Sequence, residues 1–102
     1  MEKITISDIN IFPIAQQGSL IGWGSCVIND SLRISGIALH ITPQGVLAVK
    51  FPAKRVGRGF LFYCQPLSPE IAELFRVAFE EEAKRAGLFN SEEEITPENG
   101  NE

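Results

Sequence analysis

The sequence predicts an α+β fold, in which a small antiparallel β-sheet of four to five strands precedes one C-terminal α-helix. Residues 4–65 form short apolar segments rich in β-branched residues and separated by Gly, Pro and Asn-Asp turns, as in consecutive antiparallel strands. Residues 69–85 instead place apolar side chains at helical spacing. With 102 residues the chain fits one domain, which we assign to residues 1–88, and we predict a disordered acidic tail over residues 89–102.

Five strands are predicted from alternation and from turn residues. In chain order they span Ile4 to Phe12, Leu20 to Asn29, Leu32 to Ile41, Val46 to Phe51 and Phe60 to Gln65. Between them we expect a loop over Pro13 to Ser19, turns at Asn29-Asp30 and Thr42 to Gly45, and a basic loop over Pro52 to Gly59.

Local irregularities are expected within three of these strands. The apolar phase changes at Ser7-Asp8 and at Gly36, and a β-bulge at each position accounts for the change. Gly22 and Gly24 lie inside the second strand, where glycine indicates a bend or the close approach of another backbone. In that strand, simple alternation places Ile21, Trp23 and Val27 on one face and Leu20, Cys26 and Ile28 on the other.

The helix is bounded by clear end signals. Ser68 is the expected N-cap, Pro69 fits the first helical position, and Gly87 is the expected C-cap. One face carries an apolar stripe made of Ile71, Leu74, Phe75, Ala78, Phe79 and Ala83. Because one helix covers only one face of a sheet whose strands are apolar on both, either the sheet curls on itself or a second copy covers it. We favour a homodimer, since cyclic dimers are the commonest oligomers.

Charge is unevenly distributed along the chain, whose net charge is −4 at pH 7. From Leu88 onward there are five glutamates and no base, whereas residues 1–87 carry nine bases and eight acids. Between Ser31 and Pro69 there is no acid, and the bases are Arg33, Lys50, Lys54, Arg55 and Arg58. Such an uneven charge distribution is informative about the kind of molecule that the protein binds, and not about its fold.

The residues predict no catalytic site, cofactor, metal site or small-molecule substrate. His40, the single histidine, lies inside a strand and has no partner at metal or triad spacing, so we expect a structural or surface role. Cys26 and Cys64 lie in apolar segments, and two buried free thiols are favoured over a disulfide. No apolar run approaches the roughly 20 residues that cross a membrane. We expect a cytoplasmic protein.

One segment points to a binding function. Between Lys50 and Gly59 the chain places four bases next to a strand end: Lys50, Lys54, Arg55 and Arg58. Such a loop can contact phosphates, and arginine matches their geometry bidentately. The alternative is a solvated loop kept basic for solubility. Three aromatic residues have rings that can stack on bases, although we expect them in the core: Trp23, Phe60 and Tyr63.

Several segments, taken in order, are similar to one known family. They are Ser7 to Ile11, Ser25 to Asn29, Leu32-Arg33-Ile34 with Gly36-Ile37, then Gly45 followed after four residues by Lys50-Phe51-Pro52-Ala53-Lys54-Arg55, and Pro66 ahead of the helix. Over residues 3–86 this ordered set resembles the bacterial septation protein SpoVG family (stage V sporulation protein G).

The resemblance implies a cytoplasmic homodimer that binds DNA, and in some members RNA, and that regulates septation, sporulation and gene expression. It implies no catalysis and no cofactor. It assigns nucleic-acid binding to Lys50, Lys54 and Arg55, and Arg58 lies in the same loop. The alternative is a protein–protein interaction module that uses its sheet edge or an apolar face and binds no nucleic acid. The acidic helix and tail favour that alternative.

Overall fold

The computed structural model describes residues 3–88 and confirms the α+β class. Its elements are β1 (Ile6–Gln17), β2 (Leu20–Ile28), β3 (Leu32–Ile41), β4 (Leu47–Lys50), β5 (Ala53–Val56), β6 (Gly59–Phe62) and α1 (Pro69–Arg85). Strands β1 to β4 form an antiparallel sheet in sequence order, and β5 and β6 form a second, two-stranded sheet. The predicted tail, residues 89–102, lies outside the described residues.

Two segments that we predicted as loops are strands. β1 continues through Pro13 and pairs with β2 as far as Gln17, and Pro13 is tolerated because β1 is an edge strand. The loop predicted over Pro52 to Gly59 is also wrong, because β5 pairs with β6 around a tight turn. Gly57 adopts a φ of 57° in that turn, a conformation that glycine enters without steric cost. The predicted fifth strand therefore belongs to this hairpin and ends at Phe62.

β-Bulges confirm both expected changes of phase. The register of β1 against β2 shifts after Ser7, where Asp8 has a φ of 48°. Gly36 has a φ of 77° beside a register shift between β2 and β3. A further shift follows Leu20, and Ile21 consequently packs against the core together with Cys26. The predicted grouping of Ile21 with Trp23 is therefore wrong.

Helix α1 covers one face of the four-stranded sheet, here called the inner face. The buried core between them consists of Cys26, Ile37, Leu39, Leu47, Phe75, Phe79 and Ala83. The expected close approach of another backbone occurs at Gly22, whereas Gly24 is approached by a side chain. A Cβ on Gly22 would lie 2.9 Å from the carbonyl oxygen of Phe12, and one on Gly24 would lie 2.6 Å from the Phe79 ring.

The ends of α1 form as the sequence predicts, within one residue. The Ser68 hydroxyl oxygen accepts a hydrogen bond from the Ile71 N–H at 3.2 Å. At the other end Ala86 is the C-cap and Gly87 follows it with a φ of 78°. The Leu88 N–H donates to the Ala83 carbonyl at 2.9 Å, which satisfies a carbonyl of the last turn.

Both cysteines are free, as favoured, but only Cys26 is fully buried, whereas Cys64 is half-buried. Burial raises the pKa of the Cys26 thiol to about 11 and also raises the pKa of Cys64. Within residues 3–88, no helix is both long enough and apolar enough to cross a membrane.

Candidate functional site

The sheet face opposite α1, here called the outer face, carries a row of side chains across all four strands. Phe12 pairs with Trp23, Trp23 with Ala38, and Ala38 with Lys50. Directly paired residues project from the same face of a sheet, so these four side chains lie side by side. Trp23 is 42% exposed, and its expected placement in the core is therefore wrong.

The β5–β6 hairpin has two different sides. Ala53 pairs with Phe62 and Arg55 with Phe60, whereas Lys54 pairs with Leu61. Since side chains alternate along a strand, Arg55, Phe60 and Phe62 share one side and Lys54 lies on the other. The Arg55 guanidinium carbon lies 5.6 Å from the centroid of the Phe60 ring, a cation–π distance.

A groove of about 440 Å³ lies between the outer face and the Arg55 side of the hairpin; we call it the aromatic groove. Its lining includes Trp23, Ala38, His40, Lys50, Phe60 and Phe62. No carboxylate of residues 3–88 lines it. The aromatic groove thus combines four large aromatic rings, those of Trp23, Phe51, Phe60 and Phe62, with a lysine, and Arg55 stands over the ring of Phe60.

His40 contributes a neutral ring to the aromatic groove. Its Nδ1 atom lies 2.8 Å from the Ser19 hydroxyl oxygen. Burial, and secondarily the positive charge of Lys50, lower the pKa of His40 below its ordinary value, so the ring is uncharged at neutral pH. In the part of the chain that the structure describes, no three His, Cys, Asp or Glu side chains lie together in a group that could hold a metal ion.

The four bases of the predicted binding segment occupy different places. Lys50 lines the aromatic groove, and Arg55 lies over Phe60 on the groove side of the hairpin. Lys54 lies on the opposite side of the hairpin, and Arg58 lies in its turn. Within the described part of the chain, none of the four forms an ion pair. The hairpin end of the molecule therefore carries positive charge that no acid of residues 3–88 compensates.

Three of the other five bases in the described residues form ion pairs with acids. Arg33 pairs with Asp8. On α1, Arg76 contacts Glu73 at 2.8 Å and Glu80 at 3.2 Å, and Arg85 contacts Glu82 at 2.9 Å. Positive charge on α1 is thus largely matched by acids on the same helix.

Sequence reasoning found the basic residues but missed the aromatic groove beside them. It placed Trp23 and Phe60 in the core, and it treated β5 as part of a loop. The available signal was Gly57 between two segments of strand length, which is typical of a tight hairpin turn.

No protein-family model matches the chain, and no curated protein matches its sequence.

Proposed function

We propose that this chain is a nucleic-acid-binding regulatory protein of the SpoVG type, which acts in septation and gene expression as a cytoplasmic homodimer and catalyses no reaction. The observation that carries the proposal is the group of four bases at the hairpin end, none of which has an acidic partner among residues 3–88: Lys50, Lys54, Arg55 and Arg58. When such residues bind phosphates they release counterions, which favours binding and makes it salt-dependent.

The hairpin is a better phosphate-binding surface than α1. The helix carries five glutamates against three bases, and its Arg76 and Arg85 are already paired. A phosphate backbone laid along α1 would meet this excess of negative charge, whereas the hairpin contains no acid.

Charge reversal on the hairpin tests the proposal. Purified protein is titrated against short mixed DNA and RNA at two salt concentrations, with Lys54→Glu/Arg55→Glu as the variant. We expect weaker binding to every sequence. We also expect the slope of log affinity against log salt concentration, here called the salt slope, to become shallower by about 0.7 to 0.9 for each phosphate that the variant no longer neutralises. Unchanged affinity in this variant would remove the hairpin from the binding site.

The matched control is Lys84→Glu/Arg85→Glu at the end of α1, because it changes the net charge by the same amount. We expect this control to bind nearly as well as the wild type. Equal weakening in both variants would mean that net charge, not the hairpin, determines affinity. No binding to any nucleic acid at low salt, by protein shown to be folded, would overturn the proposed function.

The homodimer is supported by the side of the hairpin that faces away from the aromatic groove and carries Lys54 and Leu61, here called the open side. An isolated two-stranded hairpin is marginally stable in water, yet Leu61 and Tyr63 on its open side are 55% and 68% exposed. A second copy that covers this side would bury both side chains. It would leave the aromatic groove, on the other side of the hairpin, free.

A protein-interaction module is the second candidate function. It is favoured by an apolar groove of about 400 Å³ beside the start of α1, lined by residues that include Ile28, Leu32, Cys64, Leu67 and Ile71. Leu67 is 92% exposed there and extends the apolar surface of this groove. A pulldown with and without nuclease separates the two candidates, because only a protein contact survives the destruction of nucleic acid.

A further inference from the structure

We propose that the aromatic groove binds unpaired bases of single-stranded DNA or RNA by stacking, while Lys50 and Arg55 contact the neighbouring phosphates. This inference rests on the proposed function and deepens it, because it specifies which form of nucleic acid is bound and by which side chains.

The first observation is the exposure of aromatic rings on both walls of the groove. Trp23 on β2 is 42% exposed, and Phe60 and Phe62 on β6 are 64% and 46% exposed. All three line the same groove of about 440 Å³, a volume within the range of pockets that hold small ligands. Flat rings that face an open groove form a platform on which a base can stack, whatever its identity.

The second observation is the sign of the charge around these rings. Lys50 lines the groove and Arg55 lies over Phe60, whereas no carboxylate of the described residues lines the groove and the sequence has none between residues 31 and 69. An apolar peptide would leave both cations without a counter-charge. A nucleotide instead supplies a ring and a phosphate together, and a guanidinium can both contact phosphate and stack on a base.

Single strands suit this groove better than duplexes do. In a duplex the faces of the bases are stacked on one another and cannot reach protein rings, so the three aromatic side chains would stay unused. In a single strand the bases can turn outward and stack on aromatic side chains. A duplex would retain only the phosphate interactions of the hairpin.

Trp23 is the only tryptophan of the chain, and its fluorescence therefore reports on the groove directly. The full-length protein is titrated with a mixed-sequence oligonucleotide of about 12 nucleotides, within the site sizes of single-strand-binding folds, and with its duplex. We expect quenching of Trp23 by the single strand and an affinity about 10-fold or more above that for the duplex.

Two leucine variants separate the groove from the rest of the hairpin. Phe60→Leu removes a groove ring, and we expect binding of the single strand to weaken roughly 5- to 30-fold. Tyr63→Leu changes a ring of similar exposure that does not line the groove, and we expect no change. Thermal unfolding followed by circular dichroism establishes that both variants fold.

The outcomes distinguish this inference from the proposed function. If Phe60→Leu binds single strands as the wild type does, or if Trp23 fluorescence responds equally to duplex and single strand, the groove is not a single-strand site. The proposed function would still stand if Lys54→Glu/Arg55→Glu weakened binding in the same assay. No binding of either probe at low salt would overturn both proposals.

Discussion

Gly24 allows α1 to lie directly on the inner face of the sheet. A Cβ at this position would lie 2.6 Å from Cε1 of Phe79, whose ring is fully buried. Because the ring packs within the core, a methyl group at Gly24 would displace it and its neighbours, and we expect Gly24→Ala to lower the free energy of unfolding by about 1 to 3 kcal/mol. Urea denaturation followed by circular dichroism measures this decrease.

Gly59 provides the control for that substitution. It also lies in a strand, but a Cβ there would meet no atom of residues 3–88 within 4 Å. We expect Gly59→Ala to change the free energy of unfolding by no more than about 0.5 kcal/mol. Equal destabilisation of the two variants would show that replacing any glycine of a strand, and not the close approach of Phe79, lowers the free energy of unfolding.

The two cysteines should differ in reactivity. Cys26 is fully buried and its pKa is raised to about 11, so at pH 8 only about one molecule in a thousand carries the thiolate that reacts. Cys64 is half-buried and its pKa is raised as well, so it should react slowly. With a thiol reagent at pH 8 we expect one slow reaction in the native protein and a second only in urea. Native Cys64→Ser should not react, and rapid labelling of that variant would contradict the burial of Cys26.

At the residue scale, the sequence was informative where short-range sterics decide the conformation. The bulges at Ser7-Asp8 and Gly36 follow from a change of apolar phase, and the tight packing at Gly24 follows from the lack of a side chain. Simple alternation places Trp23 opposite Cys26, as the structure does, but it places Ile21 on the wrong face, because a bulge at Ile21 reverses the alternation there. The other register shift between these strands has its extra residue in β3, beside Gly36, and leaves the alternation of β2 intact from Gly22 to Ile28.

At the scale of elements, the N-cap of α1 contributes stability that can be measured. The Ser68 hydroxyl oxygen accepts the Ile71 N–H, which would otherwise have no partner within the helix. We expect Ser68→Ala to lower the free energy of unfolding by about 1 kcal/mol, within the range of roughly 0.5 to 2 for removal of an N-cap. Ser68→Asp keeps an acceptor and should remain near the wild type in the same urea titration. A decrease as large as that of alanine would assign the effect to an interaction other than the cap.

Helix α1 and the hairpin show why some elements can be predicted and others cannot. The bounds of α1 follow from Ser68, Pro69 and Gly87, which act on their immediate neighbours. β5 contains the adjacent bases Lys54 and Arg55, so it lacks the apolar alternation that marks a strand. Backbone pairing with β6 decides its structure, and that pairing depends on residues up to nine positions away. The aromatic groove depends in turn on this hairpin, so the site could be predicted only in its charges.

At the scale of the whole molecule, the two sides of one hairpin carry different side chains, and each side carries one base, Arg55 towards the groove and Lys54 beside Leu61. The groove side carries Arg55 with the aromatic rings, and the open side carries Leu61 and Tyr63. This division allows one hairpin to serve two binding partners. A second copy can cover the open side while a nucleic acid occupies the groove.

The homodimer is tested by a charge placed on that open side. We expect sedimentation equilibrium of the wild type to give twice the monomer mass of 11.2 kDa. Leu61→Asp should shift the protein towards the monomer, because burying a carboxylate in the interface, even beside Lys54 on the neighbouring strand, costs more than burying leucine. Leu74→Asp is the matched control, since Leu74 is 46% exposed on α1, away from the hairpin. We expect it to remain a dimer.

The same variant connects assembly to binding. A dimer presents two hairpins and therefore neutralises more phosphates than the Leu61→Asp monomer does. Its salt slope should be steeper by about 0.7 to 0.9 for each phosphate that the second hairpin neutralises. If the wild type is monomeric at all concentrations, the homodimer is wrong. If Leu61→Asp remains dimeric, two copies meet at another surface, and the open side of the hairpin is left for a different protein.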